Sequence, residues 1–413
     1  MRRTDTAQTA VAPLPRGIRP LIAAAMLVLV AFASPNASAQ LVSLDPEIPR
    51  SVVIAPNQES AIDDFIAEFA DDAFGTDRAA AARALDELID PLLSEGVSVS
   101  FRQTYSRKLA DRIEAALTDQ PVMLEGENGE QSINHLPFHA LRLAGEIATD
   151  QTLNLIIPVL SSDDAGRRYF AIHSVETVLF RMRTASAVGP RTLLNRRQGE
   201  ADRGLLPDLG KMLAEEPSGR HAAAIVRALA EAAELPSDAL PDAQNSALAL
   251  IGNGVSARIR NRENRAPSFE ETLAWLTAGQ RIVRRIAQPG STDSTASLAS
   301  IRLGGQLVAS VFRDLEAGRV VPSGERENNP DAAVHTQLLG LAENLILFGE
   351  QNLASATNRA PNTELIRIAE GLDEAFKAGR DTELRRAALQ LISPNGLLTD
   401  QPYRFTDDEF LVE

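Results

Sequence analysis

The sequence predicts an all-α protein. Apolar residues recur at i, i+3, i+4 and i+7 along most of the chain, the spacing that lays one buried stripe on a helix. Period-two alternation is scarce, and the best candidate strand, Val97 to Phe101, is short and isolated. Proline, glycine and capping residues fall between the periodic stretches, where helices start and stop.

Before the first helix, residues 1–39 read as an export signal. Arg2, Arg3, Arg16 and Arg19 give a basic start, Leu21 to Ala33 is unbroken apolar sequence, and Ala37-Ser38-Ala39 supplies the small residues of a cleavage site ahead of Gln40. The apolar stretch is short for a membrane span. The expected location is outside a bacterial cytoplasm, in the periplasm or envelope, with 374 residues remaining after cleavage of 39 from 413. Residues 40–57, with Pro46, Pro49 and Pro56, form an extended lead-in.

Helical periodicity then takes over. Thr76 or Asp77 caps a helix with the stripe Leu85, Leu88, Ile89 and Leu92, and Pro91 is expected to divide it from the next turn. Leu136, Ala140, Leu143, Ala144 and Ile147 form a second stripe, with Pro137 in its first turn. A third, Ala171, Val175, Val178, Leu179 and Met182, is capped by Asp163 or Asp164. A fourth, Ile225, Val226, Leu229, Ala232 and Ala233, is capped by Ser218 and stops before Pro236. Longer helices are predicted at about 268–287, 294–317, 331–356, 362–378 and 381–392. Breaks fall near 119–134, 184–200, 253–267 and 319–331, the last running Pro322-Ser323-Gly324 to Asn328-Asn329-Pro330. The expected organisation is a helical region over 58–253, a linker over 254–267, a longer-helix domain over 268–393 and an acidic tail over 394–413.

Two segments resemble each other. Ile157-Pro158-Val159-Leu160, Asp163-Asp164 and Gly166-Arg167 precede one apolar helix; Leu206-Pro207-Asp208-Leu209, Glu215-Glu216 and Gly219-Arg220 precede another. Their prolines lie 49 residues apart and their Gly-Arg pairs 53 apart. Weaker echoes lie at Arg83 to Glu87 and Thr382 to Leu391. The pattern resembles HEAT-type repeats, two-helix units of an α-solenoid. The resemblance implies that a proline opens or kinks one helix, and that an acidic turn and an arginine near the next helix start tie neighbouring repeats.

Composition narrows the function classes. With 44% hydrophobic and 23% charged residues the chain is ordinary globular sequence, long enough for about two or three domains' worth of core. The formal charge of −15 becomes −18 once four arginines and one aspartate leave with the signal, which disfavours nucleic acid and anionic membrane as partners. The absence of cysteine excludes disulfides, thiolate catalysis and a lipidated N-terminal cysteine. Aromatic residues make up 4%, few for stacking sugar rings.

Candidate chemistry is sparse. His135 and His139 are four apart, but Pro137 between them places His135 in the loop, and no third ligand is evident. Ala247 to Ile251 followed by Gly252-Asn253-Gly254 superficially resembles a dinucleotide loop; without a βαβ unit it reads as a helix ending at Gly252. There is no G-x-S-x-G elbow. The acidic pairs Asp63-Asp64, Asp71-Asp72 and Asp407-Asp408 read as caps and solvated charge. Arg258, Arg260, Arg262 and Arg265 form the densest basic run, with a looser one at Arg181, Arg183, Arg191, Arg196 and Arg197; the first is the candidate partner-binding patch. Tyr403, Phe405, Phe410 and Leu411 either dock as a short peptide or fold back onto the last helix.

The sequence therefore predicts an exported, non-enzymatic helical-repeat protein without cofactor or metal that binds another protein. The alternatives are an α/α-toroid-like enzyme acting on polysaccharide and a structural component of a surface assembly.

Overall fold

A computed structural model describes residues 43–118, 123–125, 131–184, 204–236, 243–262, 265–288, 293–320, 330–406 and 408–410. Residues 44–413 form one compact unit. The expected export signal, Arg191, Arg196, Arg197, the loop 322–329, Asp407 and Leu411 lie outside the described residues.

The chain is all-α. Among the described residues are fourteen helices: α1 (Pro56–Ala73), α2 (Arg78–Leu93), α3 (Val99–Leu117), α4 (Leu136–Ile147), α5 (Asp150–Ile156), α6 (Ala165–Thr184), α7 (Leu205–Glu215), α8 (Gly219–Ala233), α9 (Ala243–Asn261), α10 (Phe269–Ile286), α11 (Ser294–Glu316), α12 (Pro330–Ala356), α13 (Thr363–Lys377) and α14 (Asp381–Ile392). Between α3 and α4, strands β1 (Met123–Glu125) and β2 (Gln131–Ile133) make one antiparallel hairpin, with Leu124 opposite Ser132.

Local chemistry sets these boundaries. Asp77 opens α2 by accepting the Ala79 and Ala80 N–H groups at 2.9 and 3.0 Å. Asp164 accepts the Arg167 N–H at 2.7 Å at the start of α6. Ser268 and Glu271 cap α10 reciprocally, each accepting the other's N–H. The apolar stripes of α2, α6 and α8 are buried along their length.

Three expectations change. Val97 to Phe101 is not a strand: Ser98 accepts the Phe101 N–H at 3.0 Å and caps α3, so the short alternation coincides with a helix start. Pro91 does not divide α2, which runs on to Leu93; near the helix end the missing N–H is offset by burial of the ring. The linker expected from residue 254 is helical to Asn261, because α9 passes straight through Gly252 and Gly254. A Cβ at Gly252 would stand 2.8 Å from the Ala299 carbonyl oxygen, and one at Gly254 2.9 Å from Leu213. These glycines let neighbouring helices approach α9; they do not end it.

The helices stack in two rows. One row is α2, α4, α6, α8, α10 and α12, each packed on the next. The other holds α3 against α5, and α7 against α9 against α11, with cross-packing of α3 on α4, α7 on α8, and α11 on α12. Of this row, α6 and α8 run parallel. Tyr169 meets His221 near the starts of α6 and α8, Glu176 meets Arg227 midway, and Arg183 meets Glu231 towards their ends. Hydrogen bonds between neighbouring helices span varied separations: 33 residues from Ser174 to the Leu141 carbonyl, 43 from Ser106 to Thr149, 51 from Arg227 to Glu176, 49 from Arg302 to Asn253 and 66 from Asn352 to the Ile286 carbonyl. After α12, α13 packs on α12 and α14, and α14 packs back on α11.

Candidate functional site

The predicted basic patch lies largely inside the protein. Arg262 has a fully buried side chain, donates to Asp314 Oδ1 at 3.4 Å and lies 5.5 Å over the Trp275 ring. Arg258 is buried 3.6 Å from Glu271. A guanidinium can stay charged there because a carboxylate is buried with it. Arg260 donates to Glu409 at 3.3 Å, and Arg265 to Glu271 at 2.6 Å. Only Arg265 is mostly exposed, so Arg258 and Arg262 offer no surface to a partner.

The other candidates are also absorbed by packing. The His135 and His139 rings lie 4.8 Å apart, and His139 Nδ1 is 3.4 Å from the Ala73 carbonyl. Among the described residues no three His, Cys, Asp or Glu side chains are grouped to hold a metal ion. Asp63 accepts from Lys108 at 2.8 Å, and Asp71 pairs with Arg112. The tail folds back onto α11 and α12, with Tyr403, Phe405 and Phe410 buried. The Tyr403 hydroxyl donates to Glu350 Oε2 at 2.7 Å, Arg302 lies 4.8 Å over the Phe405 ring, and Gln306 donates to the Glu409 carbonyl. Among the described residues no helix is long and apolar enough to cross a membrane.

Two arrangements stand out instead. The first is the seam between α6 and α8. Tyr169, His173 and Glu176 share one face of α6 at i, i+4 and i+7, opposite Arg220 and Arg227 on α8. Glu176 Oε2 lies 3.0 Å from His173 Nδ1 and Glu176 Oε1 accepts from Arg227 Nε at 3.2 Å, while the Arg220 guanidinium covers the Tyr169 ring at 4.6 Å. Arg227 Nη2 stands 3.2 Å from His173 Nε2; a guanidinium only donates, so this nitrogen accepts and Nδ1 carries the proton to Glu176. Burial pushes the Tyr169 hydroxyl up, but His173 and Arg220 outweigh it and bring it down to about 8. The hydrogen bond to Glu176 holds His173 above its ordinary 6.5 against the opposing effect of burial. At the same edge Glu216, in the acidic turn before α8, pairs with His221 at 3.0 Å and with Arg168 of α6 at 3.5 Å.

The second is a cleft of about 300 Å³ between α8, α9 and α10. Ala230 and Ala233 from α8 and Leu248 and Ile251 from α9 line it, each almost wholly buried. Arg281, Arg284 and Arg285 line it from the last turns of α10, with Gln288 just beyond the helix end and Gln244 and Glu234 also in the lining. Arg281 pairs with Glu234 at 3.4 Å, and Arg285 donates to the Gln244 carboxamide oxygen. Glu234 is also 3.7 Å from Arg183, so one carboxylate serves two guanidiniums. Arg284 is exposed and meets no acid among the described residues.

Sequence reasoning missed both arrangements. The Arg281, Arg284 and Arg285 cluster at the end of α10 was a readable signal; the partner helices that turn it into a cleft were not. Comparison with protein-family models finds no match, and comparison with curated proteins finds none either.

Proposed function

We propose that this chain is an exported, non-enzymatic helical-repeat scaffold that binds another protein in the periplasm or envelope. The observation that supports this reading is the packing of successive helices in two rows, α2 to α12 along one of them. A stack of this kind buries an inner stripe of each helix against its neighbours and leaves an extended outer face for recognition. The resemblance to HEAT-type repeats draws on the same features. Gly166-Arg167 and Gly219-Arg220 stand at the starts of successive row helices, and the acidic turn before the second reaches back to Arg168 of the first. Export rests on the character of residues 1–39.

In-cell cross-linking of the tagged chain, followed by mass spectrometry, tests this. One or two envelope proteins recovered in near-stoichiometric amounts, cross-linked through exposed faces of the rows, are expected. A free monomer with no partner above background overturns the reading.

A second reading, an enzyme on the helical scaffold, draws on Tyr169, whose hydroxyl gives up its proton near pH 8 beside His173 and Arg220. It requires turnover of a glycan or peptide by the purified chain that Tyr169→Phe abolishes without loss of folding.

A further inference from the structure

We propose that Tyr169 is an acyl acceptor: its phenol oxygen takes the acyl group of a small activated ester or acyl-imidazole, forming an aryl ester at the α6–α8 seam. The inference rests on the geometry of the seam and on neither functional reading, since one acyl group per chain, without turnover, fulfils it. The three tyrosines differ in what surrounds them. Tyr105 is fully buried, and its hydroxyl donates to the Leu88 carbonyl at 2.9 Å. Tyr403 is buried and donates to Glu350 Oε2 at 2.7 Å. Burial disfavours the phenolate in both, and the Glu350 carboxylate adds to this at Tyr403, so both hydroxyls are pushed up.

Tyr169 is partly exposed and stands among cationic and imidazole groups. The Arg220 guanidinium covers its ring at 4.6 Å, the His173 ring meets it edge-on at 4.5 Å, and the His221 ring lies 5.6 Å away. The two carboxylates of this edge are engaged with other groups: Glu176 with His173 and Arg227, Glu216 with His221 and Arg168. A cation beside a phenol favours its charged form, which is the nucleophile. Burial pushes the Tyr169 hydroxyl up, but His173 and Arg220 outweigh it and bring it to about 8. The step needs only the acyl donor. Tyr169 gives its proton to solvent and its oxygen bonds to the acyl carbon. The bond from that carbon to the leaving group breaks, and the leaving group departs with the electron pair and takes up a proton.

The test treats the purified full chain with N-acetylimidazole at pH 8 and follows each tyrosine by peptide mass spectrometry, with N-acetyltyrosinamide in the same solution as the reference phenol. Hydroxylamine, which cleaves aryl esters and spares lysine amides, separates the two products. At that pH about half of Tyr169 is ionised, against about one in a hundred reference phenols, while a less basic oxygen attacks more slowly. Acetylation of Tyr169 about 5-fold faster than the reference is therefore expected, with Tyr105 and Tyr403 unlabelled. Arg220→Gln should slow Tyr169 to the reference rate or below, and Arg220→Lys, which keeps the charge, should retain most of the parent's rate. Arg220 is exposed, so unaltered melting of these variants separates a lost charge from lost folding. Three results overturn the inference: Tyr169 labelled no faster than the reference, Tyr105 or Tyr403 labelled as fast as Tyr169 in the folded chain, or Arg220→Gln reacting at the parent's rate.

Discussion

Between α6 and α8, apart from the buried Glu216–His221 pair at one edge, the helices meet through polar side chains that reach solvent. Arg227, Glu176, His173 and Arg183 each keep roughly a quarter to a third of their side-chain surface, and the ties between them are hydrogen-bonded ion pairs. Between α9, α11 and α12 several ties are dry, although Arg302, which donates to Asn253, keeps a third of its side-chain surface. Arg262 and Asp314 are buried as a pair, Glu350 is fully buried, and glycines bring backbones together, Gly252 against Ala299 and Gly304 against Ala342 and Ile346. Half-exposed pairs have median worth of about 0–1 kcal/mol and weaken with salt, whereas breaking a buried pair leaves an uncompensated charge. The contrast assigns adaptability to the α6–α8 seam and more of the rigidity to α9, α11 and α12 with the tail.

The largest effect is expected at Glu350. It accepts from both guanidinium ends of Arg359, from the Tyr403 hydroxyl and from the Asn362 N–H, so it joins α12, the α12–α13 loop and the tail. Glu350→Ala should destabilise by about 3–5 kcal/mol in denaturant titrations and free the tail to proteolysis. A loss below about 1 kcal/mol would remove the distinction between dry and wet ties.

Gly252→Ala should cost about 1–3 kcal/mol, because the new Cβ meets backbone, which cannot rotate away. The control is Gly371→Ala in α13, where a Cβ meets nothing within 4 Å. There alanine's helix propensity should stabilise by about 0.5–1 kcal/mol.

Acid and base should act on different regions. Burial would raise Asp314, but the His335 hydrogen bond and the neighbouring Arg262 outweigh it and hold the carboxyl below its ordinary 3.8. A folded-state value below the unfolded one contributes stability above about pH 4, lost as pH falls through the lowered value. His173 has the opposite sign. Its folded value lies above 6.5, so its contribution is present below that pH and lost as pH rises through the raised value. Melting curves of the parent and of His173→Gln should converge on the alkaline side and separate on the acid side of that transition.

The smallest effect belongs to the seam itself. Arg227→Gln should cost no more than about 1 kcal/mol, reduced further in 1 M salt. A salt-independent loss of 3 kcal/mol would make the seam as rigid as the α11–α12 hairpin.

Much of this fold was legible in the sequence. The long helices at 269–286, 294–316 and 381–392 fall within a residue of their expected bounds, because apolar periodicity, Asp293 and Ser268 caps and flanking breaks agree. What misled were residues whose role depends on a neighbour distant in sequence. Gly252 and Gly254 carry a helix-ending signature, yet the approach of Ala299 and Leu213 keeps α9 intact. Arg258 and Arg262 read as part of a partner-binding patch until Glu271 and Asp314 are brought beside them. The β1–β2 hairpin lies in a stretch read simply as a polar break. The cleft needed three helices placed together, and only one face of it was written in consecutive residues.

Hydrogen exchange with mass-spectrometric readout on the full chain, in 50 mM and in 1 M NaCl, tests the division of roles most directly. The account predicts that α6 and α8 open at lower free energy than α11 and α12, and that high salt lowers protection in the first pair while leaving the second unchanged. A single opening free energy across all four helices, insensitive to salt, would contradict it.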